Sequence, residues 1–265
     1  MIYVVLPAFN EARTIERTVR RIAELGRDDP SYQIVLVDDG SSDRTDELAV
    51  AAAGDSIQMT VLTHRDNRGL GAAIRTGLYW VLDRAAASDV IAMLDADDTH
   101  PPELLPSMVA LVRGGHDVVI ASRYQPGAVV EGVPATRRLL SALGRAAFRI
   151  AFPMDGVRDY TCGYRCYSVP TLRRARVVYG DGLVTQRGFE ATVDLLLRLR
   201  QVGISAAEVP LLLDYSSRVG ESKMRVWRTI RSTLWLLARR LVDRFTRFSP
   251  GRVRSLIAAH QQETG

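Results

Sequence analysis

The sequence predicts an α/β protein, a mostly parallel sheet flanked by helices and followed by a C-terminal amphipathic helix. Three observations carry that expectation. Short β-branched runs alternate with helical three- and four-residue spacing along the first half. Each run stops in a polar cluster. From Trp227 onward, apolar residues return on one narrow helical face.

In chain order, Ile2 to Leu6 reads as a buried strand and Glu11 to Leu25 as an amphipathic helix, with Ile15, Val19, Ile22 and Leu25 on one face. Ile34 to Val37 is the next strand, and Ser42 or Asp43 is placed to cap the helix after it. Thr60 to Thr63, Gly71 to Leu82 and Val90 to Leu94 read as strand, helix and strand. A helix follows Pro101-Pro102, then the strand Asp117 to Ala121. The Gly/Pro-rich stretch Gln125 to Pro134 reads as a mobile loop. The expected organisation is one catalytic domain over 1–217, with a nucleotide half to about residue 95 and an acceptor half after it. A basic amphipathic tail covers 218–250, and 251–265 is expected to fray.

With 265 residues, 47% hydrophobic and 25% charged, the chain is rich enough in apolar residues to exclude a disordered protein. No apolar run approaches the roughly 18 to 20 residues of a membrane span, and Met1 to Pro7 lacks a basic leader. A cytoplasmic chain is expected. Cys162 and Cys166 are too few for a disulfide framework or a zinc cluster. A net charge of +5 is modest, so no nucleic-acid partner is expected. Its distribution is uneven: Lys223, Arg225, Arg228, Arg231, Arg239, Arg240, Arg244 and Arg247 stand against the single acid Asp243.

Chemistry gathers where the strands end. In open parallel sheets ligands bind outside the carboxyl ends, which here carry Asn10-Glu11, Asp38-Asp39, His64 to Arg68 and Asp95 to Thr99. The run Val90 to Leu94 delivers Asp95, Asp97 and Asp98, and a D-x-D pair at a strand end suits a hard cation, Mg²⁺ or Mn²⁺, shared with substrate phosphates. A solvated acidic turn would use the same letters. Asp95-x-Asp97-x-Thr99 also spells the aspartyl motif of haloacid-dehalogenase-type phosphatases, but that motif belongs on a first strand, and three strands precede it here. Asp38-Asp39-Gly40 ends the second strand with acids able to accept from ribose or base, and Arg68-Gly69-Leu70-Gly71 opens a helix whose N-H groups favour a phosphate.

Together P-A-F-N-E, V-D-D-G-S-S-D, N-R-G-L-G-A-A and L-D-A-D-D-T-H-P-P, in this order and spacing, resemble family 2 inverting glycosyltransferases, and among them the polyprenyl-phosphate (dolichyl-phosphate) mannose synthases. Ala121-Ser122-Arg123, Asp159 to Arg165, Arg187-Gly188-Phe189-Glu190 and Arg218 to Lys223 extend the likeness to about residue 225. The resemblance implies a Rossmann-like GT-A fold. It implies that Pro7, Asn10, Glu11 and Asp39 line the nucleoside pocket, that Asp38 helps hold the ribose, and that Arg68, Gly69, Asp95 and Ala96 border the nucleotide sugar. Asp95 and Asp97 meet the metal, with Thr99 where many relatives have Gln. Asp97, Arg123 and Arg218 are the implied catalytic residues, and Arg137, Arg138 and Lys223 the implied acceptor-phosphate contacts.

The implied reaction moves a hexose, mannose from GDP-mannose first and glucose from UDP-glucose next, onto a polyprenyl monophosphate. That phosphate is anionic near neutrality, so no general base is required. A hydroxyl acceptor is the alternative, and it needs a carboxylate to take its proton: Asp98, Glu190 or Asp194. Many relatives continue into transmembrane helices. Here Trp227, Ile230, Leu234, Leu237, Leu241, Phe245 and Phe248 form an apolar stripe opposite most of the arginines, which fits either a helix lying on the inner membrane face or one packed on the domain.

Overall fold

The computed structural model describes residues 1–131, 135–214, 235–240, 242, 253 and 255–259. Arg218, Lys223 and most of the 218–265 tail lie outside these residues.

The first half alternates strand and helix as its periodicity predicts. β1 (Ile2–Ala8), α1 (Ile15–Asp28), β2 (Tyr32–Asp38), α2 (Thr45–Ala53), β3 (Gln58–Thr63), α3 (Leu70–Leu82) and β4 (Val90–Met93) follow in turn. The second half adds α4 (Leu105–Arg113), β5 (Val118–Ser122), β6 (Val129–Glu131), α5 (Ala135–Ala151), β7 (Arg165–Ser168), α6 (Val169–Tyr179), α7 (Glu190–Gln201), β8 (Ala206–Pro210) and β9 (Leu212–Asp214). Helix α1 begins four residues later than predicted, because the chain from Glu11 first makes a turn. The stretch read as a mobile loop, Gln125 to Pro134, contains β6, which pairs in parallel with β9.

One sheet runs through both halves in the order β3-β2-β1-β4-β7-β5-β8. All its pairings are parallel except those of β7, which is antiparallel to β4 and β5. With helices over both faces, the central strands read as near-continuous apolar runs. Val4 to Leu6, Ile34 to Val37, Ile91, Ala92 and Val118 to Ala121 are fully buried. Each aliphatic side chain among them contributes about 1.5–3 kcal/mol of burial.

Pro7 lies inside β1, a central strand, where a missing N-H would normally break a ladder. The carbonyls of Met1 and Val5 accept from Val90 and Leu94, so the odd-numbered residues of β1 face β4. Pairing with β4 ends at Val5↔Met93. The donor that Pro7 lacks falls just past that end, so it costs no ladder bond there.

The described part of the tail packs against the rest of the chain, with Leu237 of the expected stripe partly buried against the core. Leu236 and Arg240 are buried while Trp235 is exposed. The reason is an ion pair invisible to periodicity: Arg240 Nε donates to Asp194 Oδ1 of α7 at 2.5 Å, and Arg198 Nε donates to the other oxygen at 3.2 Å. Among the described residues, no helix is long and apolar enough to cross a membrane.

Removing the buried carboxylate would strand two guanidinium groups. Asp194→Ala is expected to destabilise by about 3–5 kcal/mol in thermal unfolding; a loss below about 1 kcal/mol would show that the two arginines find solvent instead.

Candidate active site

The carboxyl ends of the parallel strands β1 to β4 lie along one edge of the sheet, and β7 brings the second half to it. Because β7 runs against its neighbours, its first residue, Arg165, pairs with Met93 and Ile120 at the edge where β4 and β5 end. The loop before it therefore reaches the acids after β4. A methyl group on Gly163 would lie 3.8 Å from Asp95 Oδ1 and 3.7 Å from Thr192 Cγ2 of α7.

Helix α1 fixes the turn Asp95 to Asp98 by its even residues. The Ala96 carbonyl accepts from Thr14 Oγ1 at 3.2 Å and Thr18 Oγ1 at 3.4 Å. Asp98, in a left-handed conformation with φ 59°, is held by Arg17 Nε at 2.9 Å and one Arg21 nitrogen at 2.7 Å, and Arg21 also forks onto Glu103. Thr14, Arg17, Thr18 and Arg21 recur at three- and four-residue spacing, which is one helix face. Asp98 is thus engaged by arginines, which removes it as a base for an acceptor hydroxyl.

Asp95 and Asp97 are held from the other side. Thr99 donates to Asp97 Oδ1 from its hydroxyl at 2.6 Å and from its N-H at 3.2 Å. Thr99, expected as a third metal ligand, thus stands beside Asp97 and orients its carboxylate. The Asp95 N-H donates to His100 Nδ1 at 3.0 Å, and the His100 ring stacks on Tyr164 with centroids 5.2 Å apart. Burial lowers the His100 pKa, but Asp95, then the Cys162 thiol and Asp97, outweigh it and raise it to about 9. The backbone geometry opposes that rise. Nδ1 accepts the Asp95 N-H, as a neutral ring does.

Asp38, Asp39 and Asn10 interlock the loops of the nucleotide half. Asp38 is buried and accepts the Ser41 N-H at 3.2 Å and the Ser41 hydroxyl. Asn10, left-handed at φ 53°, accepts from Ser42 N-H at 2.8 Å, and its own N-H meets Ser41 Oγ at 2.9 Å. Glu11 accepts from Thr14 Oγ1 at 3.2 Å. Asp39 is buried, with His64 Nδ1 at 2.6 Å and the N-H groups of Arg68 and Gly69 at 3.0 and 2.7 Å.

The Gly69-x-Gly71 pair has a packing role. The Gly71 N-H donates to the Arg187 carbonyl at 3.0 Å, and a Cβ on Gly71 would stand 1.7 Å from the Gln186 carbonyl oxygen. The amides that the sequence offers to a phosphate are occupied by Asp39 and Arg187. Close backbone approach explains these glycines.

Arg123 is committed to the protein. Its Nε and one terminal nitrogen form a fork on Asp159, both at 2.8 Å, and the same terminal nitrogen meets Thr161 Oγ1 at 2.5 Å. Burial alone would raise the Asp159 carboxyl, but the Arg123 guanidinium and the surrounding N-H groups hold it at about 2. Asp194, the second hydroxyl base expected, is the buried partner of Arg198 and Arg240. Glu190 is the third. It opens α7, folded back against Gly188, two residues before Thr192. Arg137 and Arg138 fall in α5 outside the described side chains. The α1 face and His100 escaped the sequence reading, although the spacing of Thr14, Arg17, Thr18 and Arg21 was there to find.

The donor set fits a hard divalent cation only in part. Among the described residues no group of three His, Cys, Asp or Glu gathers around one point. Two neighbouring carboxylates, Asp95 with a side chain 41% exposed, suit a cation that takes its other ligands from a diphosphate and water.

This mixed sheet flanked by helices, with strand-end acids facing a crevice, defines a nucleotide-sugar transferase of the GT-A type. The family described as Glycosyl transferase family 2 matches residues 3–174, and the chain belongs to it; the protein is a glycosyltransferase. It is similar to the undecaprenyl-phosphate mannosyltransferase of Micrococcus luteus, 32% identical over 84% of this chain and 87% of that one. It is likewise similar to the polyprenol monophosphomannose synthase of Mycolicibacterium smegmatis, 34% identical over 83% and 80%. A crystal structure of glucosyl-3-phosphoglycerate synthase from Mycobacterium tuberculosis, in complex with Mn²⁺, UDP-glucose and phosphoglyceric acid, shares the fold. Its TM-score is 0.66 at 19% identity over 91% of this chain and 79% of that one.

Arg21→Met is expected to release the Asp98 turn and weaken Mn²⁺ binding at least tenfold by calorimetry, with Arg21→Lys intermediate; unchanged binding would show that Arg17 and the Ala96 bonds hold the turn without Arg21. The depressed Asp159 gives stability that is present above its unfolded value of 3.8 and lost as pH falls through about 2. Urea unfolding should therefore find Asp159→Asn weaker than the wild type by on the order of 2 kcal/mol at pH 7, with the gap closing between about pH 4 and pH 2.

Proposed function

We propose that the protein transfers a hexose, with inversion, from a nucleoside-diphosphate sugar to an acceptor hydroxyl. The observation that carries the acceptor reading is the sorting of three carboxylates. Asp98 and Asp194 are held by arginines, while Glu190 opens α7, the helix whose Thr192 lies by the Gly163 loop that borders Asp95. The fold likeness to an enzyme in complex with phosphoglyceric acid, a small acid that carries a hydroxyl, favours the same reading.

In this proposal Pro7, Asn10, Glu11, Asp38, Asp39, Arg68 and Gly69 frame the nucleoside, with Ala96 held by α1 beneath the sugar. Asp95 and Asp97 hold Mg²⁺ or Mn²⁺, which when bound neutralises charge on the departing diphosphate. Thr99 and His100 keep the two acids oriented. Glu190 takes the proton of the acceptor hydroxyl as its oxygen bonds the anomeric carbon and the bond from that carbon to the diphosphate oxygen breaks.

A second reading rests on the sequence relatives, whose names place mannose on undecaprenyl phosphate or polyprenol phosphate. In it GDP-mannose is the donor and a polyprenyl monophosphate the acceptor. Arg123, Arg137, Arg138, Arg218 and Lys223 surround the phosphates, no base is needed, and the enzyme works at the inner membrane face. Arg123 would have to leave Asp159 or act through its remaining nitrogen.

A radiolabelled transfer assay separates the two, with GDP-mannose and UDP-glucose each offered to 3-phosphoglycerate and to a short polyprenyl phosphate. The hydroxyl reading expects label in the aqueous product and a loss in kcat of about 10²–10⁴-fold in Glu190→Gln. Chelator-sensitive label in the organic phase, with Glu190→Gln costing less than tenfold, would overturn it for the lipid reading. Asp97→Ala should abolish transfer under either; activity that survives both this change and chelator would remove the metal.

A further inference from the structure

We propose that Arg68, Arg75 and Arg187 form a seat for a phosphate-type oxyanion, apart from the acids at Asp95 and Asp97. The three line one cavity of about 170 Å³, with Ala72, Thr185 and Gln186 completing its wall. At about 30 Å³ per water, that is room for a tetrahedral oxyanion with a few waters.

The arrangement follows from α3 and its neighbour. Ala72 and Arg75 are three residues apart in α3 and share one helix face, and Arg68 enters the wall from the chain just before the helix. The small Ala72 leaves the floor open between the two long side chains. Arg187 is presented from the opposite wall, and its backbone is fixed there because its carbonyl accepts the Gly71 N-H at 3.0 Å.

Charge gives the site its meaning. Elsewhere Arg17, Arg21, Arg44, Arg123, Arg176 and Arg198 each meet a carboxylate. Among the described residues, none of the three guanidinium groups at this cavity does. Three like charges gathered without an acid repel one another, and a doubly charged oxyanion turns that repulsion into attraction. The planar fork of arginine matches phosphate oxygens. The α3 N-terminus adds little here, since the Gly69 and Gly71 amides are already taken by Asp39 and Arg187.

The inference goes beyond the transfer reading and does not depend on it. The anion can be a phosphate carried by a substrate or a separate inorganic ion, and one experiment tells them apart. Inorganic phosphate and pyrophosphate are titrated calorimetrically into the full chain at low ionic strength, where exposed charges are least screened. The wild type is expected to bind one anion. The double variant Arg75→Gln with Arg187→Gln should bind at least tenfold more weakly at unchanged melting temperature. Arg113→Gln, which removes an exposed charge at the end of α4, should stay within twofold. If Arg75→Gln unfolds the helix, Arg187→Gln alone is read, since that side chain is exposed. Saturating GDP or UDP with Mn²⁺ assigns the source: lost phosphate binding points to a nucleotide phosphate, unchanged binding to a separate anion. A wild type that binds neither anion, or a double variant no weaker than Arg113→Gln, overturns the proposal.

Discussion

A cation site drawn from one short turn has to aim two acids the same way, and it can only be gripped by the residues between and beside them. Here α1 does the gripping. It takes the Ala96 carbonyl with two threonine hydroxyls and the Asp98 carboxylate with two arginines. Holding a non-glycine residue at φ 59° costs on the order of 1 kcal/mol or more, and persists only where the surroundings over-determine it. The crevice depends on that grip. Were the turn to relax, Asp95 and Asp97 would lose the backbone that places them on either side of Ala96.

The same logic recurs around the site, where buried carboxylates act as anchors for chain. Asp39 gathers the loop after β3, Asp159 gathers its own loop and Arg123, and Asp194 gathers α7 and the tail. Each accepts several donors, which is what makes burying a charge tolerable. Asp95, Asp97 and Glu190 are left nearer water than these anchors.

Much of the fold was legible because strands covered on both faces are plainly apolar, and β1, β2 and β4 read as such. Strand β7 was not. It is four residues long and begins with Arg165, a buried cation whose two terminal nitrogens donate to the carbonyls of Tyr160 and Thr192, so it shows neither an apolar run nor a clean alternation. The acids were easy to find and hard to sort: Asp97 and Asp98 are neighbours in sequence, and only the arginines of α1 tell them apart. Gly69-x-Gly71 was ambiguous for another reason. A glycine needed for close backbone approach and one needed to cradle a phosphate are the same letter. The pairing of Arg240 with Asp194 could not be read in the tail, since it joins residues far apart in sequence.

Helix α3 takes a cap for its opening turn, at Gly71, from the carbonyl of Arg187, on a segment made much later. Chains emerge from the ribosome amino end first, and local units fold as they appear. The donor half can therefore assemble most of β1 to β4 early, yet α3 keeps an unsatisfied end until the chain has passed Gly188. Completion of the first half waits on the second, so the order of synthesis leaves a half-made protein with one of its helices open.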